Sequence, residues 1–385
     1  MIFLPSPGWC ERISVLMEER ELQYRIALTF IPGVGHALAK ALLAYCGSPE
    51  AVFKEKKSRL LRIPYIGQAV ADAIRKQDAF GRAEKEITFI KKHKIQPLFF
   101  LDDDYPRRLK HCPDYPVMLY YNGNASLNNK RILSIVGTRN ATRYGMEVCR
   151  SLIAGLSVPA PLIVSGLAYG IDICAHREAL QNSLETVGVL GHGLDRIYPL
   201  MHKEVAGKML GSGGLLTEYP SGTKPDAENF PMRNRIIAGL ADAVLVVEAG
   251  ESGGALITAE LANGYNREVF AVPGRISDSF SVGCNALIKQ NKAMLISTAS
   301  DIENNMGWDI SRDMSSPGNT QMKLFAELTD EEKAITRVLS EEGPAGIDSL
   351  CMKAGFTSAK ASSVLLSLEF AGIVKSLPGK IYKLL

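Results

Sequence analysis

Between about Lys130 and Ser297, apolar runs of strand length alternate with amphipathic helical stretches, and this rhythm leaves the chain few architectures besides a mostly parallel sheet with helices on both faces. The predicted strands are Ile132–Val136, Leu162–Ser165, Thr186–Leu190, Gly214–Thr217, Ala243–Glu248, Glu268–Val272 and Ala293–Ile296. The expected class is α/β, a doubly wound sheet whose ligand sits at the carboxyl edge, where the strand-to-helix turns gather. With 385 residues, 46% of them hydrophobic, the chain can build a large core and more than one domain.

Several of those turns are small and polar. Gly137-Thr138-Arg139 follows the first strand, Ser165-Gly166 closes the second, and Ser252-Gly253-Gly254 follows the fifth. Residues without bulk let backbone N–H groups approach a phosphate, and arginines add charge-assisted contacts. In the segment Asn229–Leu240, Arg233 and Arg235 flank Asn234 where an extended run is predicted to turn into an apolar helix, so cations and a helix N-terminus are expected to meet there. The candidate anion site is therefore Gly137, Thr138, Arg139, Ser165, Gly166, Arg233, Asn234, Arg235, Ser252, Gly253 and Gly254.

Other chemistry finds less support. No GxGxxG follows the first strand and no GxxxxGK[ST] occurs anywhere, so neither nicotinamide chemistry nor ATP hydrolysis is indicated and no cofactor is expected. Asp172, His176, Glu218, Glu248 and Glu260 could serve as acid, base or metal ligands, but no HxxxH or HExxH spacing accompanies them. The expectation is no metal and no catalysis, with Asp172 and His176 structural near a helix start. A net charge of +3 is too mild to indicate a nucleic-acid partner, so any polyanion site must come from local clustering. Seven scattered cysteines fit reduced core thiols and a cytoplasmic protein, and no apolar run approaches the ~18 residues of a membrane span.

The flanks carry their own patterns. Residues 1–21 are an uncertain leader or tail, with Met17 an alternative start to Met1. Residues 22–95 are helical and contain Ile31-Pro32-Gly33-Val34-Gly35, echoed thirty-two residues later by Ile63-Pro64-Tyr65-Ile66-Gly67. Each precedes a helix, as in a helix-hairpin-helix, and both DNA-backbone binding and plain packing stay open for it. Lys54, Lys56, Lys57, Arg59 and Arg62 between the copies suit either a solvated face or phosphates. Residues 96–129 are a proline- and aromatic-rich connection expected to wrap on the central domain (130–308) as loop and edge strand. After a polar linker (309–323), residues 324–385 show three helical patterns, then two strands about a Pro-Gly turn, the order of a winged helix. That segment holds seven Lys/Arg against eight Asp/Glu, a balance of −1, with Lys360 the one cation of its third helix, which favours a partner contact over duplex readout.

The succession Ile135-Val136-Gly137-Thr138-Arg139, Val164-Ser165-Gly166-Leu167-Ala168-Tyr169-Gly170-Ile171-Asp172, Gly193-Leu194-Asp195-Arg196-Ile197-Tyr198-Pro199, Thr217-Glu218-Tyr219, Phe230-Pro231-Met232-Arg233-Asn234-Arg235, Ser252-Gly253-Gly254 and Ala271-Val272-Pro273-Gly274 resembles the DNA-processing protein A family (DprA, also called Smf). The resemblance implies a Rossmann-like domain, here between a helix-hairpin-helix domain and a winged helix. It further implies a bacterial protein that binds single-stranded DNA in natural transformation, protects it, assists loading of the recombinase RecA, and pairs as a homodimer. Arg139 would be a principal contact. Tyr169 stands where relatives carry a basic residue, and helix filler is favoured over base stacking for it. The alternative is a Rossmann-like hydrolase of nucleoside monophosphates, whose glycine-rich turn before a glutamate-bearing helix is similar to Ser252–Glu260. A small-molecule hydrolase has no need of the arginine-rich turn or the flanking modules.

Overall fold

In the central sheet, successive side chains enter different cores, which is why its strands read as continuous apolar runs. Ile132, Val136, Val164 and Val246 belong to one core and Leu133, Ile135, Ile163 and Leu245 to another, as the period of two requires for a sheet covered on both faces. The computed structural model describes residues 19–76, 78–156, 159–308, 329–370, 373–377 and 381–384. The linker and nearly all of the expected leader lie outside the described residues.

Two compact units divide at Asp309 and Ile310. The first is organised by a nine-stranded sheet: β1 Gln96–Phe99, β2 Met118–Gly123, β3 Ile132–Val136, β4 Leu162–Ser165, β5 Thr186–Leu190, β6 Gly213–Thr217, β7 Ala243–Val246, β8 Glu268–Ala271 and β9 Met294–Leu295. Its order is β1-β2-β6-β5-β4-β3-β7-β8-β9. From β6 to β9 all neighbours are parallel, whereas β1 pairs with β2 and β2 with β6 antiparallel. The strand order reverses around β3, which has β4 on one side and β7 on the other, and this defines the switch point.

The connection expected as loop and edge strand contributes two strands, and they carry the helical N-terminal layer. Leu119 and Tyr121 of β2 face the central core, while Met118 and Tyr120 enter the core of that layer with Ile26, Leu42, Phe53 and Ile74. The two hairpin copies share one backbone conformation: Gly33 has φ +79° and Tyr65, in the same place, φ +66°. Each turn precedes a helix, His36–Cys46 and Gln68–Lys76. The cations between the copies are largely paired: Lys54 with Glu50 at 2.8 Å, Lys57 with Asp72, Arg59 with Glu55 at 3.5 Å.

The second unit has helices Asp330–Glu342, Ile347–Ala354 and Ser358–Phe370, and strands β10 Ala345–Gly346, β11 Val374–Leu377 and β12 Ile381–Leu384 in the order β10-β12-β11. Ile335, Leu350, Ala361 and Leu368 form its own fully buried core. The Pro378-Gly379 turn lies outside the described residues.

Candidate nucleic-acid interface

A cavity of about 450 Å³ opens at the switch point. Its walls are the turn after β3 (Gly137, Thr138, Arg139), Ala168 and Asp172 beyond β4, the loop after β7 (Gly250, Ser252, Gly253, Gly254) and one face of the helix Asn229–Leu240. The β3 turn is held from two sides. Thr138 N donates to Glu248 O at 2.8 Å, and the Glu248 carboxylate accepts from Thr142 N at 2.8 Å and Thr142 Oγ1 at 2.6 Å. Gly170, with φ +75°, lies so close beneath that a Cβ would strike the Thr138 carbonyl. Arg139 is exposed, its guanidinium 5.4 Å from the centre of the Phe230 ring. That contact orients the planar fork without consuming its N–H donors.

The helix Asn229–Leu240 differs from expectation in an instructive way. The whole segment is helical, with Pro231 tolerated in the first turn, so Arg233, Asn234 and Arg235 lie one turn inside the helix and not at its start. Phe230, Arg233, Asn234 and Ile237 all line the cavity, the i, i+3, i+4, i+7 stripe of one helical face. Residues two apart on a helix diverge by about 200°, which sends Arg235 to the opposite side. Its guanidinium is buried, ion-paired with Glu218, and donates to Asp114 O at 2.6 Å. Glu218 Oε2 also lies 2.7 Å from His36 Nε2; because Val117 N donates to His36 Nδ1 at 3.3 Å, Nε2 is the protonated nitrogen. Arg235 thus ties the hairpin helix to the sheet and is removed from the candidate site.

Ser165 and Gly166 also leave the cavity surface. Ser165 is fully buried and donates to Ile135 O at 2.6 Å, clasping β4 to β3. Gly166 serves from below: a Cβ there would lie 2.6 Å from Asp172 Oδ2 and 2.7 Å from both Arg233 Nη atoms, so its lack of a side chain lets those two charges approach. Arg233 is itself 3% exposed and donates to Gly166 O at 2.6 Å and to Val189 O. Burial pushes its pKa down to about 10, against the pull of Asp172, so it stays charged at neutral pH as a fixed cation under the floor. Burial likewise raises the Asp172 carboxyl, opposed by Arg233.

The remaining candidate acids and bases do not converge. His176 is fully buried with Nδ1 2.7 Å from Thr186 Oγ1, while its Nε2 has no partner among the described residues, and burial pushes its pKa down to about 3. Glu218 and Glu248 are consumed by the contacts above, and Glu260 pairs with Lys292 at 2.6 Å on the surface. Tyr169 is half exposed with its ring edge-on to His202, outside the cavity lining. Six cysteines among the described residues are unpaired. Of the cavity-lining residues, Phe230, Ile237 and Asp172 were absent from the sequence-derived site; the apolar stripe around Arg233 was the signal for the first two.

Known proteins match this arrangement along nearly the whole chain. The profile of the family described as DNA recombination-mediator protein A matches residues 96–307, that of the DprA winged helix domain 324–380, and that of a SAM-like helix-hairpin-helix tandem 26–77. Protein Smf of a Synechocystis species is 32% identical over 402 aligned residues, covering 95% of this chain and all of its own. DNA processing protein DprA of Streptococcus pneumoniae is 42% identical over 209 residues, 54% of this chain and 73% of its own. The X-ray structure of the S. pneumoniae protein superposes with a TM-score of 0.65 at 35% identity, over 73% of this chain and 97% of that one. A Helicobacter pylori DprA structure, described for its single-stranded DNA binding mode, gives 0.51 at 29% identity, over 56% and 97%. Fold, module order and sequence agree, and the chain belongs to the DNA recombination-mediator protein A (DprA) family.

Proposed function

We propose that this chain is a recombination mediator that binds single-stranded DNA through the cavity at the β3–β7 switch point. The observation that carries the reading is the exposed Arg139 guanidinium beside Phe230, set over small-residue turns and the buried charge of Arg233. Guanidinium and amide donors grip phosphates whatever the base, and an aromatic ring offers a stacking face to an unpaired base. The site proposed is Gly137, Thr138, Arg139, Arg233, Asn234, Ser252, Gly253 and Gly254, with Phe230 added.

The finer parts of the proposal follow family membership. The protein acts in natural transformation in the cytoplasm, protects incoming strands, hands them to RecA and pairs as a homodimer through the central domain, joining two cavities into a longer track. It is not an enzyme. Its parts are a helical domain (22–95), a connecting segment (96–129), the DNA-binding domain (130–308), a linker (309–323) and a winged helix (324–385). The winged helix is assigned to partner contact, since Lys360 is engaged by Glu331 at 2.5 Å. Among the described residues no helix is long and apolar enough to cross a membrane.

Anisotropy titration with single- and double-stranded oligonucleotides at two salt concentrations tests the reading: single strands bind tighter, and affinity falls steeply with salt. Equal affinity for both, or release of base from a nucleoside monophosphate by the purified protein, overturns it.

A further inference from the structure

A second cleft, about 720 Å³, lies on the same carboxyl rim, between the start of the helix Arg143–Ala154 that follows β3 and the loop that follows β8. It is joined to the first site: Thr142, at its edge, is the residue whose N–H and hydroxyl are held by Glu248 at the end of β7. Because β3, β7 and β8 are neighbours, the two clefts lie within one or two strand spacings, about 5–10 Å. Tyr144 stands in the cleft half exposed, and its hydroxyl donates to Pro273 O at 3.0 Å, which fixes the ring with a face in solvent. The loop opposite is tied to the helix Val282–Lys289, as Gly274 and Asn285 exchange two hydrogen bonds of 3.1 and 3.0 Å.

Arg143 and Arg275 border the ring, both exposed. Arg143 pairs with Glu147 at 2.8 Å, an open surface contact that a phosphate can displace. The acid in the lining, Asp278, has its carboxylate turned into its own loop, accepting from Phe280 N at 3.0 Å and Ser281 Oγ at 3.3 Å.

An anchored, half-exposed aromatic ring that lines a cleft together with two guanidiniums, one step along the rim from the turn bearing Arg139, is the pairing of stacking platform and charge that sequence-tolerant binding of single strands uses. We infer that this cleft is a second subsite that takes the next nucleotides of the strand, with a base on Tyr144 and flanking phosphates on Arg143 and Arg275. The inference rests on the reading of the first cavity.

The test compares an oligothymidylate of about 2 nucleotides, too short to fill both clefts, with one of about 15, using the full chain. Tyr144→Ala should weaken the longer oligonucleotide about 10-fold and leave the short one, held at Arg139, nearly unchanged. Arg143→Ala combined with Arg275→Ala should flatten the slope of log affinity against log salt for the longer one by about 1.4, two phosphates at about 0.7 each. If these variants bind the longer strand like the parent while Arg139→Ala loses both lengths, the second subsite is refuted and the first cavity stands. If the parent binds neither length, both fall. All three side chains are exposed, and unchanged thermal melting of the variants separates lost contacts from lost fold.

Discussion

Arg139, Arg233 and Arg235 lie within one short arc of the molecule, and burial assigns each a different task. Arg139 is exposed and free to meet a phosphate, so Arg139→Ala should weaken single-strand binding by about 1.5–3 kcal/mol, equally for all base compositions, in an anisotropy assay. Arg235 is sealed against Glu218, and Arg235→Ala should lower unfolding free energy by about 3–5 kcal/mol in urea while the folded fraction binds DNA normally. A loss of affinity without a loss of stability would return Arg235 to the site. His176 supplies a pH dependence. It is held neutral in the fold with a pKa near 3 against an ordinary 6.5, so below 6.5 the unfolded chain takes up a proton that the folded chain refuses. Stability therefore falls as pH drops from 6.5 toward 3, and a His176→Gln variant should show a shallower fall of its urea midpoint over that window.

Among elements, the helix Asn229–Leu240 and the β3 turn decide the site. Both were visible in sequence, the helix as an apolar run and the turn as Gly-Thr-Arg, but only the true start of the helix shows which arginine faces the cavity. Misplacing that start by one turn put Arg235 beside Arg233, when the helical repeat sends them apart. The β3 turn rests on Gly170, whose missing side chain makes room for the Thr138 carbonyl. Gly170→Ala should displace that turn and reduce single-strand affinity at least 10-fold, with Arg139 unaltered in identity; unchanged affinity would show that the turn can give way without moving the guanidinium. In the second hairpin, Tyr65 occupies the left-handed conformation that Gly33 has in the first, and it is exposed. Tyr65→Gly should therefore stabilise the protein by about 1 kcal/mol, seen as a raised melting temperature.

For the molecule as a whole, the edge pair β1–β2 joins the helical layer to the sheet, and contacts distant in sequence lock it: His36 to Glu218, and both Arg82 and Glu86 to Ser221. The second unit has a separate core, so a chain ending at residue 308 should keep the single-strand affinity and salt slope of the full protein. A large drop on that truncation would assign the winged helix a direct share of the strand. Local pattern alone determined the parallel sheet, the strand bounds of β3, β4 and β5, the small-residue turns and the three-helix order of the second unit, because periodicity and turn chemistry act over a few residues. It determined also that the small-residue turns around Gly137 and Gly253 would collect at one rim. Tertiary structure decided which of them reach solvent there. Ser165 was spent clasping two strands, Arg235 was spent joining two layers, and Arg233 became a charge beneath the floor, since whether a polar side chain meets ligand or protein depends on neighbours 17 to 67 residues away that no local pattern encodes.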